Sequence, residues 1–251
     1  MAPTYESEFD IMSKQSMAYL TLALALAFAA APLITDPFTG YTADQLPYPQ
    51  PDPVIQPIGS AFSIWIVIYI WLIVGVGFGA FRAPEGSTWH EMRKPLSISL
   101  AIGMCWLWVA NSSPILATIL IIAMTVTAIL AMRRAGRNKR VWKRGPVGLY
   151  AGWLTAASAV SISIILPGYG LMNPQLAGVI CLTAALAVGL LVQADSPSAW
   201  TYTVAICWAI GGIIINQWGS DNWLIIALAG LGWIALALRG LSGAGLINTT
   251  E

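Results

Sequence analysis

Ile115 to Met132 reads ILATILIIAMTVTAILAM, Arg133 to Arg144 reads RRAGRNKRVWKR, and Val147 to Leu166 reads VGLYAGWLTAASAVSISIIL. Two stretches of 18 and 20 residues without an Asp, Glu, Lys, Arg or His thus flank 12 residues of which seven are basic. An apolar run of about 20 residues matches the thickness of a hydrocarbon core when it is helical. A helix is also the form that satisfies its own backbone groups where water is absent. Short loops rich in Lys and Arg stay on the cytoplasmic side of a membrane. The segment therefore reads as a transmembrane helix arriving at the cytosol, a basic loop, and a second helix leaving it.

Six more uncharged runs surround this pair: Met17 to Ile34, Ala61 to Phe81, Leu96 to Ala110, Leu176 to Val192, Trp200 to Ile215, and Trp223 to Leu238. Several fall short of a comfortable span, so they are expected to borrow flanking Ser, Thr, Gly and Trp or to lie under a locally thin bilayer. Between the third and fourth runs only Asn111, Ser112, Ser113 and Pro114 intervene. Asn and Ser satisfy local backbone groups and Pro opens the next helix, which suits a tight turn between antiparallel helices.

Parity tests the count. Lys14 precedes run one; Arg82, Arg93 and Lys94 follow run two; Arg133, Arg134, Arg137, Lys139, Arg140, Lys143 and Arg144 follow run four; Arg239 follows run eight. With eight crossings all 12 basic residues share one face, and loops 35–60, 111–114, 167–175 and 216–222 hold none. The expected fold is an all-α polytopic transmembrane bundle of about eight spans, with both termini in the cytosol. Ala29, Ala30 and Ala31 could pass for a signal cleavage region, but Glu6, Glu8 and Asp10 are wrong for a positive n-region, so the first span is expected to be retained.

The composition agrees. Of 251 residues 57% are hydrophobic and 9% charged, where a soluble domain carries about 25% charged side chains, so the surplus apolar surface must face lipid. A net charge of +1 offers no basic excess for nucleic acid. Cys105, Cys181 and Cys207 lie far apart in apolar runs without metal-site spacing and read as small core residues. His90 falls in the charged loop 82–94, too far from the spans to ligate a haem iron, and reads as a solvated loop histidine. No span holds a His–carboxylate or Ser–His pair for catalysis, nor a Lys for a retinal Schiff base. An ion-coupled carrier lacks its buried carboxylate or histidine for the same reason.

The outside loop 35–60 carries Pro37, Pro47, Pro49, Pro51, Pro53 and Pro57, which keep it extended or turned and not helical; lid and plain connector are both open readings. The run 133–144 reads as orientation signal and headgroup contact. Gly75 and Gly79, Gly211 and Gly212, and Gly230 and Gly232 read as close-approach packing positions, since helices in lipid associate over small residues. Among the 12 tryptophans, Trp142, Trp200, Trp218 and Trp223 sit near span ends and fit an interfacial belt. Phe62, Trp65 and Tyr69 share one helical face in the outer half of the second span. Trp106 and Trp108 point about 200° apart, so at most one of them joins the same inward cluster.

At these residues the chain resembles the tryptophan-rich sensory protein, or TspO/MBR, family. Pro57-Ile-Gly-Ser-Ala-Phe62-Ser-Ile-Trp65-Ile-Val-Ile-Tyr69 is similar to the family's Pro-led second helix with its W-x-x-x-Y core. Gly148-Leu-Tyr150-Ala-Gly152-Trp153-Leu-Thr-Ala156-Ala157 is similar to the opening of its fifth helix, and Trp200 to Gly211 resembles the seventh helix of a longer bacterial branch. Where the family usually places an Asn in the third helix and another late in the fifth, this chain has Gly103 and Ser161. The spacing from Phe62 to Trp65 is one residue shorter than in the five-helix members.

The resemblance implies a cytoplasmic tail at 1–16, a five-helix bundle at 17–166, three added helices at 167–240 and a second tail at 241–251. It implies a cavity beneath loop 35–60 that binds a hydrophobic, porphyrin-like molecule without a cofactor or metal of its own. Phe62, Trp65, Tyr69 and Trp106 would line it, with Tyr150 and Trp153 of the fifth helix. The expected role is a membrane sensor or binding protein, not an enzyme, with photochemistry on the bound ligand left open, in a bacterial inner (plasma) membrane. A facilitated transporter of an apolar solute, and a packing or assembly subunit of a larger complex, are the alternatives; a homo-oligomer stays open.

Overall fold

A computed structural model describes residues 5–38, 40–49, 52–136 and 141–243. Pro51, Arg137, Lys139, Arg140 and the distal tails fall outside the described residues. Eight helices follow in order: α1 (Tyr5–Ile34), α2 (Ile64–Arg82), α3 (Ser87–Ala110), α4 (Pro114–Arg134), α5 (Arg144–Gly168), α6 (Pro174–Asp195), α7 (Trp200–Gln217) and α8 (Trp223–Gly243). No strand occurs among the described residues. The helices reach past the apolar runs at most ends, so flanking residues do supply the missing length. α1 is continuous from Tyr5, so it already includes most of the first 16 residues.

Side-chain pairs fix the direction of each helix. Thr21 bonds Ser97, and Phe28 packs over Gly103, a constant offset that makes α1 and α3 parallel. Trp106 bonds the Ala117 carbonyl near the turn and Ser99 bonds the Met124 carbonyl farther from it, so α3 and α4 are antiparallel. Thr118 meets Ser161 and Thr125 meets Ser158, which reverses direction again into α5. Gly148 faces Thr201 and Gly152 faces Ala205, making α7 parallel to α5. Gly178 faces Ile225 and Gly189 faces Leu236, making α8 parallel to α6. Across its eight helices the chain therefore reverses direction seven times.

Six helices are long and apolar enough to cross a membrane. The other two, α3 and α7, carry more polar residues but run alongside helices that qualify, so the bundle is polytopic. α5 lies at its centre, against α4, α6, α7 and α2, and buries most of its length. Hydroxyls bridge these helices: Ser99 to Tyr150 at 2.9 Å, Thr125 to Ser158 at 2.8 Å and Thr155 to Tyr202 at 3.0 Å. In lipid such bonds supply about 0.6–2 kcal/mol each beyond the packing.

Two prolines start helices, Pro114 as expected. Pro114 follows the cap Ser113, whose hydroxyl accepts from the Leu116 N–H, and Pro174 follows Asn173, whose side-chain amide oxygen accepts from the Leu176 N–H at 2.8 Å. The described residues of loop 35–60 are bends, turns and irregular backbone, with two 3₁₀ turns, Ala43–Gln45 and Gly59–Ser63.

Four expectations need correction. The segment 82–94 is not a loop throughout, because α3 begins at Ser87 and takes in His90 and Arg93. Arg93 is 1% exposed; its guanidinium donates to the carbonyls of Gly79, Ala83 and Pro84 and so caps the C-terminus of α2. Burial pulls its pKa down to about 10, which leaves it charged at neutral pH. Cys105 is exposed and not a core residue. Of the paired glycines, Gly211 and Gly230 face open space, whereas Gly212 abuts Ala61 and Pro57, and Gly232 abuts Leu186. Gly75 and Gly79 do mark close approach, against the Trp142 carbonyl and the Trp89 ring.

All described basic residues lie at one end of the bundle, where Arg133 of α4 bonds Asp195 of α6 at 2.7 Å. Trp200, Trp218 and Trp223 are exposed near helix ends, in keeping with a belt.

Candidate functional site

A cavity of about 590 Å³ opens at the end opposite the cations, beneath loop 35–60. Its walls come from α1, α2, α3, α4 and α5, and its roof from the loop. Five of the six expected residues line it: Phe62, Trp65, Tyr69, Trp106 and Trp153. Tyr150 does not. It is fully buried behind the floor, with its hydroxyl bonded to Ser99 and its ring edge-on to Phe28 at 5.6 Å.

The α2 aromatics stand as a stack, with Trp65 and Tyr69 5.3 Å apart and 19° from parallel. Phe62 lies in the 3₁₀ turn ahead of α2 and meets Trp153 edge-on at 5.5 Å. Trp106 takes the inward direction of α3 and Trp108 is half exposed on the other side, as the 200° separation requires. The Trp106 indole N–H is spent on the Ala117 carbonyl at 2.9 Å, so its ring presents an apolar face.

Two contributors were not legible in the sequence. Phe28 of α1 is the hub, edge-on to Trp65 at 5.9 Å and to Tyr69 at 5.2 Å. A Cβ at position 103 would come within 2.6 Å of its ring, so glycine stands there to let Phe28 in. The roof supplies the second: Phe38 meets Trp106 edge-on at 5.6 Å, and Tyr41 reaches down to bond Ser161 and Thr118. Burial pushes the Tyr41 phenol above its ordinary pKa, against the pull of those two hydroxyls, so it stays neutral and serves as a hydrogen-bonding group. Ser161, late in α5, is thus engaged by the loop. A phenylalanine in span one and a tyrosine in a proline-rich loop carried no signal of this in one dimension.

The loop is a strap with two differently held halves. Its first half touches the α3–α4 turn, where Gln45 donates to the Asn111 carbonyl and the Asn111 amide donates to the Asp36 carbonyl. Its second half is fastened to α5, α6 and α7. Tyr48 N–H donates to the Gly168 carbonyl, Ile58 N–H to Gly212, and the Trp208 indole to Ala61 at 2.8 Å. Asn216 donates to the Gln56 carbonyl, and Val54 fills the space over Gly178. The end of α5 together with α6 and α7 therefore holds one side of the roof.

The family model described as TSPO-like protein matches residues 15–241. No curated protein and no solved structure matches the chain. The matched span takes in all eight helices apart from the first third of α1 and the last two residues of α8, and with them the cavity and its strap. The chain is an integral membrane protein of the TSPO-like family.

Proposed function

We propose that the protein is a membrane sensor or binding protein for a flat hydrophobic ligand of tetrapyrrole size, held in the cavity beneath residues 35–60 and acting by regulation. The observation that carries this reading is the concentration of aromatic faces, Phe28, Trp65, Tyr69, Trp106 and Trp153, around one mostly apolar cavity of about 590 Å³. Ligand sites of about 300–1,000 Å³ are typically built this way, with few polar groups to set orientation. Here those groups are Thr35, Asp36, Tyr41, Gln56, Tyr69 and Ser161. Flat π-faces suit a flat macrocycle.

Chemistry on the ligand finds little support. The ionisable side chains on the cavity wall are Asp36, Tyr41 and Tyr69, and none of them is paired there with a histidine as a general base. A carrier would need a path past the floor, which Tyr150, Leu100 and Ile68 fill with side chains no more than 2% exposed. With the cationic end toward the cytosol, the cavity opens to the outer side of the plasma membrane.

The test is a fluorescence titration of the full chain in detergent with protoporphyrin. Saturable quenching that weakens in Trp65→Ala and Tyr69→Ala, with both variants retaining native helicity, supports the reading. Quenching that stays the same in both removes the aromatic cavity as the site.

A further inference from the structure

The cavity mouth has an unbalanced charge. The loops at this end hold Asp36, Asp44, Asp52 and Asp221 and no Lys or Arg. Of the four, Asp36 lines the cavity itself, on the exposed segment that leaves α1. The other polar groups on the wall, Thr35, Tyr41, Gln56, Tyr69 and Ser161, are neutral. Helix dipoles do not reverse this field. The last turn of α1 lines the mouth through Ala31, Pro32 and Thr35 and brings its carbonyl end, while the 3₁₀ turn ahead of α2 at Gly59 and Phe62 brings an N-terminal end. These two contributions oppose each other. The formal charge that remains beside the ligand is one carboxylate.

A ligand lying flat on Trp65 and Tyr69 buries its apolar body and turns its polar edge to the mouth, where the solvent is. We infer that this cavity selects flat aromatic ligands whose polar edge is neutral or cationic, and discriminates against those that carry carboxylates, with Asp36 as the specificity-determining residue. The inference rests on the reading of the cavity as a ligand site. A carboxylate brought within several ångströms of Asp36 at a partly solvated mouth loses about tenfold in affinity by Coulomb repulsion. Most of that loss should vanish at about 1 M salt, where the screening length falls to about 3 Å.

The experiment compares protoporphyrin, which has two propionates, with its neutral dimethyl ester, by tryptophan quenching of the full chain in a nonionic detergent at low salt. Asp36→Asn is expected to tighten the diacid about tenfold and to leave the ester within twofold. Asp36→Lys should tighten the diacid further, and raising the salt should bring the wild-type diacid toward the Asp36→Asn value. Asp36 is exposed, and its hydrogen bond with Asn111 is made by its backbone carbonyl, which both variants retain. If the diacid binds wild type and both variants with one affinity, the charge inference fails and the cavity reading stands. If neither probe quenches saturably in any of the proteins, both fail together.

Discussion

Gly152→Ala adds one methyl group at a place where α5 and α7 approach closely. A Cβ there would overlap the Tyr202 carbonyl oxygen, and it would lie 2.9 Å from the Ala205 Cβ and 3.0 Å from the Tyr202 carbonyl carbon. Carbon atoms rest at about 3.5–4.0 Å, and backbone atoms of a packed helix cannot turn aside as a side-chain tip can, so the two helices must part locally. Overpacking of this kind costs about 1–3 kcal/mol, with more where the neighbours are rigid. Parting also stretches the neighbouring Thr155–Tyr202 bond, 3.0 Å long. Against this, alanine gains about 1 kcal/mol over glycine inside a helix. The net expectation is about 2 kcal/mol of destabilisation. Gly211→Ala and Gly230→Ala serve as controls, because nothing lies within 4 Å of a Cβ at either position. They should be neutral or gain up to about 1 kcal/mol. Thermal unfolding in one detergent, followed by tryptophan fluorescence at a fixed scan rate, reads the difference. For a chain of this size about 2–4 °C accompanies each kcal/mol, so Gly152→Ala should melt about 5–10 °C below the controls. Equal melting temperatures for Gly152→Ala and Gly211→Ala would refute the assignment of close approach at the α5–α7 contact.

Three other substitutions probe the cavity and its surroundings. Tyr41→Phe removes the phenol that reaches Ser161 and Thr118; a loss of about 1 kcal/mol corresponds to roughly fivefold more opening, read as faster amide exchange in residues 36–45 with residues 52–61 unchanged. Gly103→Asn should collide with the Phe28 ring and cost about 1–3 kcal/mol, and the same change in a Phe28→Ala background should cost at least about 1 kcal/mol less; a double-mutant cycle showing simple additivity would remove Phe28 as the reason for the glycine. Arg93→Met leaves the carbonyls of Gly79, Ala83 and Pro84 without their donor and should destabilise by about 1–3 kcal/mol, with partial recovery in Arg93→Lys; a fully stable Arg93→Met would show that the cap at the end of α2 carries no weight.

Eight membrane-directed segments, their alternation and the clustering of cations at one end were legible in the sequence alone, because partition into lipid sums over neighbouring residues and needs no knowledge of the rest of the chain. The aromatic stripe through Phe62, Trp65 and Tyr69 was legible for a related reason, since helical periodicity places residues on a face. Which partner stands opposite that face is decided by other helices, and there the sequence was silent or misleading. Arg93 looked like a loop cation until the end of α2 supplied three carbonyls to it. Tyr150 belongs to the motif that points to the cavity, yet Phe28 stands between it and the open space. Gly211 and Gly212 are neighbours in sequence but about 100° apart around the helix, so one meets the strap and the other meets nothing. Hydrophobic composition determined that the helices would enter a bilayer; only the packing of those helices against one another, over distances of dozens to more than a hundred residues, decided where the cavity lies and what closes it.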